Sequence, residues 1–148
     1  MFEEKQEKIP VLDSVVVIDN DIGVVNAFKT TLPRWGFVVT GFASITQGLE
    51  ALKKEKPQAL ILDIQPPKPQ SLALLREAQK LYPALPIITM TAYSTSFTEA
   101  DAIRAGADAY FVKPIDLDVF VRKLKTLVND SEVFTISNKL MLSELSVS

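Results

Sequence analysis

The sequence predicts an α/β protein built on a doubly wound parallel sheet. Two observations carry that expectation. Five short runs rich in β-branched and aliphatic residues recur along the chain, and each is followed by a stretch with apolar residues at helical spacing. Strands covered on both faces read as near-continuous apolar runs, which is how parallel strands between helical layers read.

The first run, Val15 to Ile18, ends abruptly in Asp19, Asn20 and Asp21. Val24, Val25, Phe28 and Leu32 then recur at helical spacing, and Pro33 and Gly36 mark the stop. FVVT, Phe37 to Thr40, is the second strand. Ser44 followed by Gln47 has the form of a capping box, so a helix is predicted from Ser44 to about Lys54 with Ile45, Leu49 and Leu52 inward. ALILD, Ala59 to Asp63, is the third strand and closes on a carboxylate. Leu72, Leu75, Ala78 and Leu81 form the next apolar stripe, and PIITMT supplies the fourth strand, ending at Thr91. A helix over roughly Ser96 to Ala105 leads to the fifth strand, Ala109 to Val112, with Lys113 just beyond it. The last helix is predicted from about Asp116 to Val128, with Leu117, Phe120, Leu124 and Leu127 on its inner face.

Composition narrows the function. At 148 residues with 47% hydrophobic side chains, the chain has the size of one domain with one sizeable core. Sixteen basic and eighteen acidic residues leave a formal charge of -2, which gives no support for a nucleic-acid surface. There is no cysteine, hence no disulfide framework and no thiolate nucleophile. There is no histidine, which removes the usual neutral-pH base and most zinc sites together. The charged N-terminus does not read as a signal peptide, and no long apolar stretch reads as a membrane span, so a soluble cytoplasmic protein without membrane contact is expected. The expected division is a polar tail over 1–13, one domain over 14–128, and a C-terminal extension or truncated linker over 129–148. In that last segment Phe134, Ile136, Leu140, Leu142 and Leu145 follow no clean period.

A parallel sheet brings the carboxyl ends of its strands to one edge, where open α/β sheets bind ligands. Asp19, Asn20, Asp21, Asp63, Thr91 and Lys113 all fall there. Taken singly, each has an ordinary reading: an Asp at a strand end often only caps a helix, and a lone Lys is usually solvated. Their joint placement at successive strand ends is what points to chemistry. Clustered carboxylates need a neutralising charge, and with oxygen donors alone the suitable ion is Mg²⁺, with Mn²⁺ as a substitute. The lysine ammonium and threonine hydroxyl beside it suit a bound anion such as a phosphoryl group.

With LILD, MTAY and AIRAGADAYFVKPID in these positions, the chain from about Val15 through Val128 resembles a response-regulator receiver domain of two-component phosphorelay systems. The resemblance implies a flavodoxin-like (βα)5 sheet in the order 2-1-3-4-5 and a cis peptide between Lys113 and Pro114. It implies that Asp63 accepts a phosphoryl group from a histidine kinase or histidine phosphotransfer protein, with Thr91 and Lys113 contacting that group. Asp19, Asn20, Asp63 and the backbone carbonyl of Gln65 would hold Mg²⁺. Thr91 and Tyr110 would form the switch, Gln65 and Tyr93 would set the lifetime of the acyl phosphate, and the fourth helix, fifth strand and fifth helix would contact a second copy or an effector domain. Such a chain is a phosphoacceptor with self-catalysed transfer and dephosphorylation, not a dedicated metabolic enzyme.

The departures from the family pattern are local. Asn20 stands where a second acidic residue is usual, so weaker cation binding is expected. Pro66-Pro67 replaces Met-Pro, and Gln70-Ser71 replaces Asp-Gly, which makes QPPKPQS a stiff turn without glycine before the third helix. Two other readings compete. One is a receiver fold serving as an interaction module with weak or absent phosphorylation. The other is a haloacid-dehalogenase-like phosphatase using Asp19-Asn20-Asp21 as its DxD, with Asp116 and Asp118 as the metal pair; it leaves Asp63 without a role.

Overall fold

The computed structural model describes residues 13–65 and 68–147. The expected N-terminal tail, apart from Asp13, and the Pro66-Pro67 pair lie outside the described residues. Elements alternate throughout: β1 (Asp13–Ile18), α1 (Ile22–Thr31), a 3-10 turn (Leu32–Trp35), β2 (Phe37–Phe42), α2 (Ile45–Lys54), β3 (Ala59–Asp63), α3 (Lys68–Leu81), β4 (Ile87–Thr91), α4 (Glu99–Ala105), β5 (Ala109–Val112) and α5 (Leu117–Val147). The strands form one sheet in the order β2-β1-β3-β4-β5, with every pairing parallel. The peptide between Lys113 and Pro114 is cis.

The uninterrupted apolar runs have a direct cause. Alternate residues of each strand face opposite sides of the sheet, and along β1, β3 and β4 both sides are buried. Val15, Val17, Ala59, Ile61, Ile88 and Met90 pack with Phe28 of α1 and Phe120 and Leu124 of α5. Val16, Ile18, Leu60, Leu62 and Ile87 pack on the other face with Leu52, Leu74, Leu75 and Ala102 of α2, α3 and α4. Helix α2 lies close on β1 at Gly48, where a Cβ would come within 2.3 Å of Ile18 Cδ1.

Boundaries departed from expectation where caps or packing decide them. Helix α4 begins at Glu99 rather than Ser96, because Thr98 and Asp101 form a reciprocal capping box, and it ends at Gly106 with φ 98°. At α2, Ser44 accepts from the Gln47 N–H as predicted. The buried face of α3 is Ser71, Leu74, Leu75 and Ala78; of the predicted stripe, Leu75 and Ala78 lie on it, Leu72 packs half-buried against the same core, and Leu81 alone is exposed. Gln70 and Ser71 are not a turn before α3 but belong to its first turn, which starts at Lys68 and accommodates Pro69, since a first-turn N–H has no helical partner to lose. The largest difference is α5, which continues past Val128 to Val147. No Gly or Pro interrupts residues 129–147, so nothing in the sequence stops the helix where the clean apolar period ends. Among the described residues no helix is long and apolar enough to cross a membrane.

Candidate functional site

The carboxyl edge of the sheet brings together the predicted residues from β1, β3, β4 and the β5–α5 turn. Asp19 follows β1 and is 2% exposed; Asp63 closes β3 and is 6% exposed. Between them lies the Lys113 ammonium, with Nζ 2.6 Å from Asp19 Oδ2 and 3.1 Å from Asp63 Oδ1. Lys113 is carried there by β5, whose register beside β4 is fixed by the pairing of Thr91 with Val112, and its own N–H donates to the Thr91 carbonyl at 2.8 Å. Thr91 is fully buried, and its Oγ1 accepts from the Tyr93 N–H at 2.9 Å, which leaves the hydroxyl proton free to donate.

Two carboxylates share a single ammonium, so the cluster carries one uncompensated negative charge when all three groups are ionised. Burial, reinforced by the charge of Asp19, pushes the Asp63 carboxyl above its ordinary value against the opposing pull of Lys113. Burial by itself would lower Lys113, but the hydrogen bond to Asp19 and the charges of both carboxylates outweigh it and hold the ammonium above its usual value.

Next to the pair opens a cleft of about 360 Å³ lined by Asp19, Asn20, Asp63, Gln65, Gln70 and Ser71, together with the start of α2. Asn20 is exposed and Gln65 half-buried at its mouth. The donor set is oxygen only and short of positive charge, which suits a hard divalent cation such as Mg²⁺ and disfavours softer metals. No group of three or more His, Cys, Asp or Glu side chains comes together among the described residues.

Other predicted residues fall elsewhere. Asp21 does not join the pair: it is exposed and caps α1 by accepting from the Gly23 N–H at 2.9 Å. Asp116 accepts from the Val119 N–H at 3.3 Å as α5 starts and Asp118 lies in the first turn of that helix, so one of the two acids that the phosphatase reading requires is engaged with a helix end. Tyr93 is 49% exposed at the rim. Tyr110 donates its hydroxyl to the Phe97 carbonyl at 2.6 Å, and its ring packs tilted at 50° to the Phe97 ring with centroids 6.0 Å apart, tying β5 to the segment before α4. Sequence reasoning did not anticipate Ser71 as a cleft residue. Its signal is a small polar residue one position off the apolar stripe, which the QPPKPQS pattern disguises as part of a turn.

A five-stranded parallel sheet in this order, with a buried acidic pair, a lysine and a threonine at its carboxyl edge, defines a receiver-type α/β domain. The family model of the response regulator receiver domain matches residues 15–125, and the chain belongs to that family. The chain is 33% identical over 104 residues to the transcriptional regulatory protein ZraR of Escherichia coli strain K12, covering 70% of this chain and 24% of that protein. It is 34% identical over 105 residues to the DNA-binding transcriptional regulator NtrC of Proteus hauseri, covering 71% of this chain and 22% of the other. The chain thus spans about a quarter of the length of these relatives. Among solved structures, a CheY-like receiver domain protein from Methanospirillum hungatei JF-1 superposes with a TM-score of 0.75 at 28% identity, covering 82% of this chain and 98% of that one. The response regulator TrrA of Thermotoga maritima, solved in complex with Mg²⁺-BeF, gives 0.69 at 26% identity, covering 78% and 99%. Receiver domains are the phosphoacceptor modules of two-component signalling, and their family partners are histidine kinases or histidine phosphotransfer proteins.

Proposed function

We propose that Asp63 is the phosphoacceptor of this chain, taking a phosphoryl group from a phosphohistidine on a kinase or phosphotransfer protein. The observation that carries this reading is the placement of Lys113 Nζ between two nearly buried carboxylates, 2.6 Å from one and 3.1 Å from the other. A carboxylate needs no general base: one Asp63 oxygen forms the new P–O bond as the P–N bond breaks. Positioning and charge compensation then do most of the catalysis. Lys113 pairs with one phosphoryl oxygen, exchanging its present contact with Asp63 for the incoming charge. Thr91, whose acceptor side is engaged by Tyr93 N–H, donates its proton to another. Asp19, Asp63, Asn20 and the Gln65 backbone carbonyl are the groups that would hold Mg²⁺. When bound, the ion supplies the positive charge that the acidic pair lacks.

The output follows from the same residues. As Thr91 turns toward the phosphoryl group, Tyr110 can exchange its bond to the Phe97 carbonyl for a packed position toward Thr91, shifting α4, β5 and the start of α5. Ile103, Val112 and Val119 are exposed on these elements and offer an apolar surface for a second copy or an effector domain. The test is incubation with a radiolabelled small phosphodonor with Mg²⁺ or with EDTA. Label is expected in the wild type with Mg²⁺ alone and absent from Asp63→Asn; equal label in the variant contradicts the assignment.

A further inference from the structure

Ser71 lies in the first turn of α3 on the wall of the acidic cleft, is 3% exposed, and its hydroxyl makes no hydrogen bond among the described residues. Burying a hydroxyl whose oxygen accepts nothing is unfavourable, and such a group calls for a partner. Even a back-bond of the kind serines make within helices engages only the proton and leaves the oxygen free to accept. The charged groups lining the cleft are Asp19 and Asp63; Lys113 is not part of its wall. Lys113, bonded to both carboxylates, offsets only one of their two charges, so a cation is favoured in the cleft. At about 360 Å³ the cleft is far larger than a bare ion, and Mg²⁺ gives up its water reluctantly.

We propose that Ser71 is an outer-sphere positioning residue for the divalent cation, its Oγ accepting a hydrogen bond from a water that the ion keeps while Asp19 and Asp63 ligate it directly. This rests on the cation-dependent phosphoacceptor reading and adds to it a residue from α3. It also offers the site a way to hold its ion although Asn20 brings no charge. A second-sphere partner of this kind orients what the carboxylates bind and contributes to affinity without touching the metal.

The experiment is Mn²⁺ binding, followed by the electron paramagnetic resonance signal of the free ion, in the wild type, Ser71→Ala and Ser71→Gly, with thermal melts of all three in EDTA. Both variants are expected to bind Mn²⁺ about tenfold more weakly, while Ser71→Ala melts in EDTA no lower than the wild type. Unchanged affinity in either folded variant overturns the inference, as does a loss of affinity that merely tracks a loss of stability in EDTA. Acyl phosphate formed by the wild type in either of those cases leaves the phosphoacceptor reading standing. A wild type that binds no Mn²⁺ overturns both.

Discussion

Lys113 decides how costly the acidic pair is. With one ammonium between two carboxylates, Asp63 is held above its ordinary pKa by burial and by Asp19. A carboxyl group whose pKa is raised on folding keeps its proton to higher pH in the folded state, so stability falls as pH rises from the ordinary carboxylate range through the raised value. Asp63→Asn is therefore expected to be more stable than the wild type at pH 7 in EDTA, by about 1 kcal/mol. The advantage should shrink as the pH falls through that window. Thermal melts across pH check both the sign and the window. Asn20→Asp is expected to raise Mg²⁺ affinity roughly tenfold, about 1.4 kcal/mol, measured by calorimetric titration. Asp21 is exposed and directs one carboxylate oxygen to the cap of α1, so a charge added at residue 20 in the cleft wall is expected to add to the site. The contrast between Asp19 and Asp21 shows why the site was only partly legible: both sit at the same strand end, and which one turns into the sheet edge depends on the cap geometry of α1. Asp63 and Lys113 were legible because each ends a strand with no competing local use.

At the level of elements, two contacts control how the helices sit on the sheet. Gly48 lets α2 approach β1, so Gly48→Ala is expected to cost about 1–3 kcal/mol through overpacking against Ile18, read by chemical denaturation. The Tyr110 hydroxyl ties β5 to the segment before α4, so Tyr110→Phe is expected to cost about 1 kcal/mol. It should also lessen the difference in amide exchange around α4 and β5 between the free and phosphorylated forms. β1, β3 and β4 were legible because each is buried on both faces and reads as one apolar run, while the edge strands β2 and β5, only partly buried, were legible from their β-branched and aromatic residues. The α3 stripe was legible through Leu72, Leu75 and Ala78, but Leu81 is apolar yet exposed, and Ser71 takes a place on the buried face that hydrophobicity alone would not assign. The true start of α4 was hidden by Ser96 and Phe97, which precede a stronger cap at Thr98.

The whole molecule has a packed domain and a helix that outruns it. Core packing along α5 reaches Val128, and Ser131 Oγ still donates to the Ala84 carbonyl at 3.3 Å; farther on, Leu140 and Met141 are 62% and 58% exposed. Removing residues 133–148 is therefore expected to leave the melting temperature within about 4 °C of the full chain, and to leave phosphoryl uptake unchanged. The extension was illegible as helix because Phe134, Ile136, Leu140, Leu142 and Leu145 follow no clean period for a helical reading to rest on. The account as a whole stands on Asp63 being the acceptor in a cation-dependent reaction. The most direct measurement is borohydride reduction of the wild-type chain after treatment with a small phosphodonor and Mg²⁺, followed by peptide mass spectrometry. Conversion of Asp63 alone to homoserine, abolished by EDTA, is the predicted result; conversion at another carboxylate, or at Asp63 irrespective of Mg²⁺, would contradict it.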